Sequence, residues 1–162
     1  MSPSLSRIRN IFEPLELSYV ADLWDSRFGI PLSVFSGYLF FRKAQSVWAI
    51  NDNCLPRISY EAIGMRIMNL KDRPWKPTTS ALQVFGRHAT KNVIHLDSIN
   101  AMIFLEGKTQ VIESNSEPGY VVVFYRGEVL GCGLYSHGKL VSQIPKERRM
   151  ASVEENGACE DQ

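Results

Sequence analysis

Hydrophobic positions first recur along the chain at helical spacing and then switch to alternation. In LELSYVADLWDSRFG, Leu17, Val20, Leu23, Trp24 and Phe28 fall at i+3/i+4 intervals and form one apolar face, which predicts a helix. Glu16 and Asp22 lie towards its start and Arg27 in its last turn, with Gly29 where a C-terminal stop is wanted and Ile30-Pro31 forcing an extended exit. From Phe35 to Ile50 the pattern changes. SGYLFFRK and SVWAIN are aromatic and β-branched around a polar turn at Ala44-Gln45, and predict a hairpin. Asn51-Asp52-Asn53 reads as a turn cluster. In RISYEAIGMRIMNLKDR the alternation of Ile58, Tyr60 and Ala62, then Met65 and Ile67, predicts a strand pair or one strand interrupted at Gly64. Helix is an alternative for part of that segment, because Met and Leu are equally good helix formers.

In the next segment, Pro77 precedes the N-cap cluster Thr78-Thr79-Ser80, ALQVF is helical, and Gly86 is the expected stop. A hinge between two small domains is placed here. VIHLD is a short strand, Asp97-Ser98 caps a helix SINAMIFLE closed by Gly107, Thr109 to Ile112 is a strand, and 114–118 is an exposed loop. GYVVVFYRG, EVLGCGLYS and GKLVSQI then form a meander with turns at Arg126-Gly127 and His137-Gly138. The expected fold is α+β: an arm over 1–14, a small mixed α/β domain over 15–89, a small β-barrel over 90–149, and an acidic, disordered tail over 150–162.

Composition narrows the setting. At 162 residues the chain can bury one good core or two small ones. No apolar run approaches the roughly 20 residues of a membrane span, and MSPSLSRIRNIF has no apolar stretch of signal-peptide type. Cys54, Cys132 and Cys159 are odd in number and without Cys-x-x-Cys spacing, so a reducing cytoplasm is the expected location. The net charge of +1 hides an asymmetry: residues 151–162 hold four of the 17 acidic residues and no basic one, which leaves +5 on 1–150. That balance permits a polyanionic partner without requiring one.

No catalytic constellation emerges. His88, His95 and His137 lie in three different elements without metal-site spacing. Cys132 sits between Gly131 and Gly133, where small residues usually relieve crowding, and only Cys54, near Arg57, hints at a basic environment for a thiol. Gly131-x-Gly133 runs into strand residues instead of a helix, so it makes no nucleotide loop, and no cofactor is expected. Three basic groups remain: Lys71/Arg73/Trp75/Lys76, Arg87/Lys91, and Lys146/Arg148/Arg149. The first interleaves cations with an aromatic, a combination suited to phosphate contact and base stacking. It also precedes the helix start at Thr78–Ser80, whose N–H groups favour a phosphate. A solvated loop with Trp75 tucked between domains is the alternative, and the 146–149 group is either a solvated chain exit or a binding rim.

VIHLD, the helix SINAMIFLEG with its closing glycine, and GYVVVFYRGEVLGCGLYS together resemble a PUA domain, a small RNA-binding barrel. That resemblance implies an RNA surface at Gly107, Lys108 and the stretch from Lys139 to Lys146. The chain departs from many such domains at 113–116, where Glu-Ser-Asn-Ser stands in place of a second glycine. A wider resemblance spans about residues 17 to 149. RFGIP, GMRI, KPTTSALQVFG, NVIHLD, AMIFLEG, GYVVVFYRGEVLGCGLY and GKLVSQIPK are similar, in that order, to the C-terminal RNA-binding part of Sun/RsmF-type RNA cytosine-5 methyltransferases. Stand-alone Nol/Nop/Sun-like ribosome biogenesis proteins share these blocks. The methyltransferase core is missing, as are catalytic cysteines in Pro-Cys and Thr-Cys contexts. The resemblance therefore implies targeting without catalysis.

The expectation is a non-catalytic protein that binds structured rRNA or tRNA in ribosome biogenesis or RNA modification. Its contacts would come from Arg73, Trp75, Lys76, Arg87, Lys91, Gly107, Lys108, Lys139, Lys146, Arg148 and Arg149, with no metal and no membrane. The alternative is a targeting subunit for a separately encoded methyltransferase or a ribosome-assembly partner, with aromatics such as Phe40 and Trp48 forming the partner face.

Overall fold

The structure, a computed structural model, describes residues 12–51 and 64–151. Asp52-Asn53, the segment before Gly64, Cys54, Cys159, and most of the arm and acidic tail lie outside the described residues. The fold is α+β, with two five-stranded sheets. The first has the order β1 (Glu13–Leu15), β2 (Tyr38–Lys43), β3 (Ser46–Asn51), β4 (Met65–Asn69), β5 (Lys76–Pro77), antiparallel throughout. The second comprises β6 (Val93–Leu96), β7 (Thr109–Val111), β8 (Gly119–Tyr125), β9 (Glu128–Ser136) and β10 (Lys139–Ser142), in the order β6-β8-β9-β10-β7. Only β6 and β8 run parallel.

Helix α1 (Leu17–Phe28) buries Val20, Trp24 and Phe28 of the expected stripe together with Ala21, leaves Leu17 and Leu23 half-buried, and ends where Gly29 turns left-handed at φ 65°. The β2–β3 hairpin closes at Ala44-Gln45, with Lys43 opposite Ser46. Helix α2 (Thr79–Phe85) starts at Thr78, whose hydroxyl accepts from Ala81 N–H. Gly86 does not act as a stop: its backbone stays right-handed and continues into a 3-10 turn, Gly86–His88. A Cβ there would lie 3.1 Å from Val122 Cγ1, so this glycine permits close approach to β8. Helix α3 (Ser98–Leu105) is capped by Asp97, and Gly107 follows it at φ 83°. Both expected turns of the meander form, with positive φ at Arg126, Gly127, His137 and Gly138, as two-residue type I′ loops require.

Strand β8 is buried on both faces, which is what its unbroken VVVF run encodes. Val122 and Phe124 join a core with Trp24, Phe28, Phe35, Phe85, Leu82 and Cys132. Val121 and Val123 join another with Phe104, Tyr135, Leu140 and Ile144. The segment expected as a hinge thus contributes α2 to a core that both sheets line. A β-bulge leaves Leu130 without a partner between Gly131 and Val129. The extra residue reverses the alternation, so Val129 and Cys132, three apart, both reach the first core.

Phe40 and Trp48 do not form an exposed partner face. Phe40 is buried beside Phe35, and Trp48 is half-buried with its ring edge-on to Phe12 at 5.7 Å. The two sheets are also tied by polar contacts at the end of α1. Arg27 Nε and Nη2 donate to Tyr120 O at 3.0 and 2.8 Å, and Nη2 donates to Glu117 O at 3.0 Å. Asn92 donates to Arg27 O and accepts from Glu117 N–H. Burial lowers the Arg27 pKa, partly offset by the nearby Glu117 carboxylate. Arg27, read as a helix-end charge, is therefore a clamp between the sheets.

Candidate nucleic-acid interface

Lys76, on the edge strand of the first sheet, reaches the second: Nζ donates to Gln143 Oε1 at 2.9 Å and lies 5.6 Å from the Tyr120 ring centroid. Arg148, in a 3-10 turn after β10 (Lys146–Arg148), reaches back and donates to Ser80 Oγ on α2 at 3.3 Å. Between them runs a groove made of two adjoining clefts of about 270 and 250 Å³, which share Arg66, Thr78, Thr79 and Pro145. Arg66 was missed by sequence reasoning. The signal was present, since Arg66 lies between Met65 and Ile67 and alternation places it on the opposite, outward face.

Arg149 points elsewhere. Its Nε donates to Ile144 O at 3.0 Å, and its side chain lies across Gly107, where any Cβ would collide with it. Lys108 pairs with Glu106 at 2.9 Å. Adjacent residues Arg148 and Arg149 therefore link the groove to the Gly107 loop. Lys146 is exposed in the same turn. Arg73 is exposed in the loop before β5. Lys91 lines a separate cleft with Asn115 and Ser116, Arg87 donates to His88 Nε2, and Lys139 stands opposite Val111 at the start of β10. The structure thus brings Lys76, Arg148, Arg149, Gly107 and Lys108 into one continuous region and does not bring Arg87, Lys91 or Lys139 into it.

Two sequence expectations need correction. Trp75 packs against Trp24 (5.0 Å between ring centroids) and Phe28 (5.6 Å), so its indole is committed to the core instead of being offered to a base. The start of α2 is a poor phosphate cradle, because the helix has seven residues and Thr78 already caps Ala81 N–H. Cys132 is no nucleophile: it is fully buried, and burial pushes its thiol up to about 12 despite the pull of Lys76 and Arg27. The Tyr120 pKa is also raised, first by burial and then by Asp72. His95 stacks on Phe124 and His137 occupies a turn. Among the described residues no cluster of His, Cys, Asp and Glu has the makings of a metal site, and no helix is long and apolar enough to cross a membrane.

Residues 91–150 match the family model described as the methyltransferase RsmF PUA domain. This stretch is an RsmF-type PUA domain. It begins just before β6 and ends after the 3-10 turn that carries Arg148 and Arg149. The match is to the PUA domain of that methyltransferase and not to its catalytic domain. Two relatives are similar over a longer stretch. The ribosomal RNA small subunit methyltransferase F of Aeromonas salmonicida (strain A449) is 26% identical over 91 residues, 56% of this chain and 19% of the relative. The protein of the same name from Aeromonas hydrophila subsp. hydrophila is 23% identical over 110 residues, 66% of this chain and 23% of the relative. The chain thus spans about a fifth of the length of these curated relatives. In this PUA domain, Gly131 and Gly133 serve packing: a Cβ on Gly131 would lie 3.0 Å from Thr79 Cγ2 of α2, and one on Gly133 would meet Leu140 Cδ1 at 2.5 Å.

Proposed function

We propose that this protein binds structured RNA, rRNA or tRNA, without catalysing a reaction on it, and serves ribosome biogenesis or RNA modification. One observation carries the reading. The turn at Lys146–Arg149 sends Arg148 to α2 and Arg149 to the Gly107 loop, giving one cationic strip that runs from the first sheet onto the PUA domain. The similarity to rRNA methyltransferase F supports an rRNA context. Phosphates along the strip supply affinity and RNA shape supplies selectivity. Lys76, Lys108, Lys146, Arg148 and Arg149 make the principal contacts, and Arg73, Arg87, Lys91 and Lys139 add contacts only where the RNA extends beyond the strip.

Titration of a folded rRNA fragment at increasing salt tests this. A strip contacting about four phosphates gives a log–log slope near −3, and Lys76→Glu or Arg149→Glu weakens binding about tenfold. Tight binding indifferent to salt and to both variants sinks the proposal.

A second reading, a targeting subunit for a separately encoded methyltransferase, is favoured by the outer face of α3, where Ile99 is 73% and Met102 39% exposed. Retention of a methyltransferase from RNase-treated lysate, lost on Ile99→Asp, supports it; retention unaffected by Ile99→Asp removes this face from the argument.

A further inference from the structure

We infer that the groove between the first sheet with α2 and the segment that follows β10 holds the sugar–phosphate backbone of a single RNA strand and is indifferent to its bases; this deepens the RNA-binding reading and rests on it. Three cations face the groove, Arg66, Lys76 and Arg148, from β4, β5 and the last 3-10 turn. Lys76 and Arg148 are held by neutral acceptors, Gln143 and Ser80. Asp72 and Glu147 border the groove, yet among the described residues neither forms an ion pair with these cations. Their positive charge is therefore steered into position without being neutralised, and an anion can enter without displacing a carboxylate.

The remaining lining is chosen for sugar and against bases. The Asn69 amide, whose oxygen accepts from Lys71 N–H, and the Ser80 hydroxyl, whose oxygen accepts from Arg148, keep N–H and O–H donors that can bond a 2′-hydroxyl. No aromatic residue lines either cleft, and Trp75, the nearest in sequence, is spent in the core. The clefts of about 270 and 250 Å³ adjoin at Arg66, Thr78, Thr79 and Pro145, so together they form one track for a strand. One wall belongs to the first sheet and α2 and the other to the segment after β10, so a bound strand also bridges the two.

Fluorescence anisotropy on the full chain, with a labelled oligouridine of roughly eight nucleotides, tests the inference. The expected result is about a tenfold loss of affinity on Arg66→Glu and again on Arg148→Glu. The DNA analogue should bind several-fold more weakly, and oligoadenosine like oligouridine. Arg66 is exposed, so Arg66→Glu keeps the fold, which circular dichroism checks. If both variants bind oligouridine as the unmodified protein does, or if DNA binds equally well, the groove assignment is overturned. Folded rRNA binding that persists and depends on Arg149 in that case leaves the broader reading intact. Absence of binding to either RNA overturns both.

Discussion

The two faces of the second sheet pack differently. One face, with Val121, Val123, Tyr135 and Leu140, closes on α3 and the last residues of the PUA domain. The other, with Val122, Phe124 and Cys132, closes on α1, α2 and the aromatic residues of the first sheet. The core on the face with Val121 and Val123 is local to one sheet, whereas the core on the face with Val122 and Cys132 is shared by both. Damage of equal size should therefore spread unequally.

The largest expected effect is at the clamp between the faces. Arg27→Leu leaves Tyr120 O without its two donors and should destabilise the whole chain by about 2–3 kcal/mol, read from chemical denaturation. An unchanged midpoint would show that packing alone joins the sheets. Next come Val122→Ala and Val123→Ala, adjacent and fully buried but facing opposite ways. Each should cost about 2 kcal/mol. Hydrogen exchange separates them: Val122→Ala should loosen amides in both sheets, and Val123→Ala only those of β6 to β10. Identical exchange maps would refute the division into a shared and a local core.

The smallest effect appears only in alkali. Burial raises the Cys132 thiol from 9.0 to about 12, so the folded protein holds this proton more tightly than the unfolded chain. The associated stability is complete below pH 9 and is lost as pH climbs from there towards 12. Unfolding midpoints at about pH 8 and about pH 10.5 should diverge more in the unmodified protein than in Cys132→Ala. Tyr120, raised first by burial and then by Asp72, titrates in both proteins, and only the smaller part of its shift that comes from Cys132 differs between them.

Much of the fold was written locally. The stripe of α1, the Asp97 cap, and the two-residue turns at Arg126-Gly127 and His137-Gly138 each depend on residues close in sequence, and each formed where the pattern placed it. The fate of Gly86 was not legible, because a glycine at a helix end looks the same whether it serves a left-handed stop or the approach of a distant strand. The interface was less legible still. Trp75 among cations reads from sequence either as a stacking platform or as a ring tucked between domains, and only the positions of Trp24 and Phe28 reveal that it turns inward. The bonds from Lys76 to Gln143 and from Arg148 to Ser80 join the first sheet and α2 to the segment after β10, over separations that no local pattern records.

Asn92 sits one residue inside the matched stretch, buried, at φ 56°, with its side chain bonded to both α1 and Glu117. A fragment cut at residue 91 to isolate the PUA domain would strip that asparagine of its α1 partner and bare Val122, Phe124 and Cys132 to water. Such a fragment should aggregate, and adding back residues 12–90 as a separate chain should rescue its solubility. The boundary of the matched domain and the boundary of autonomous folding then fall at different places in this molecule.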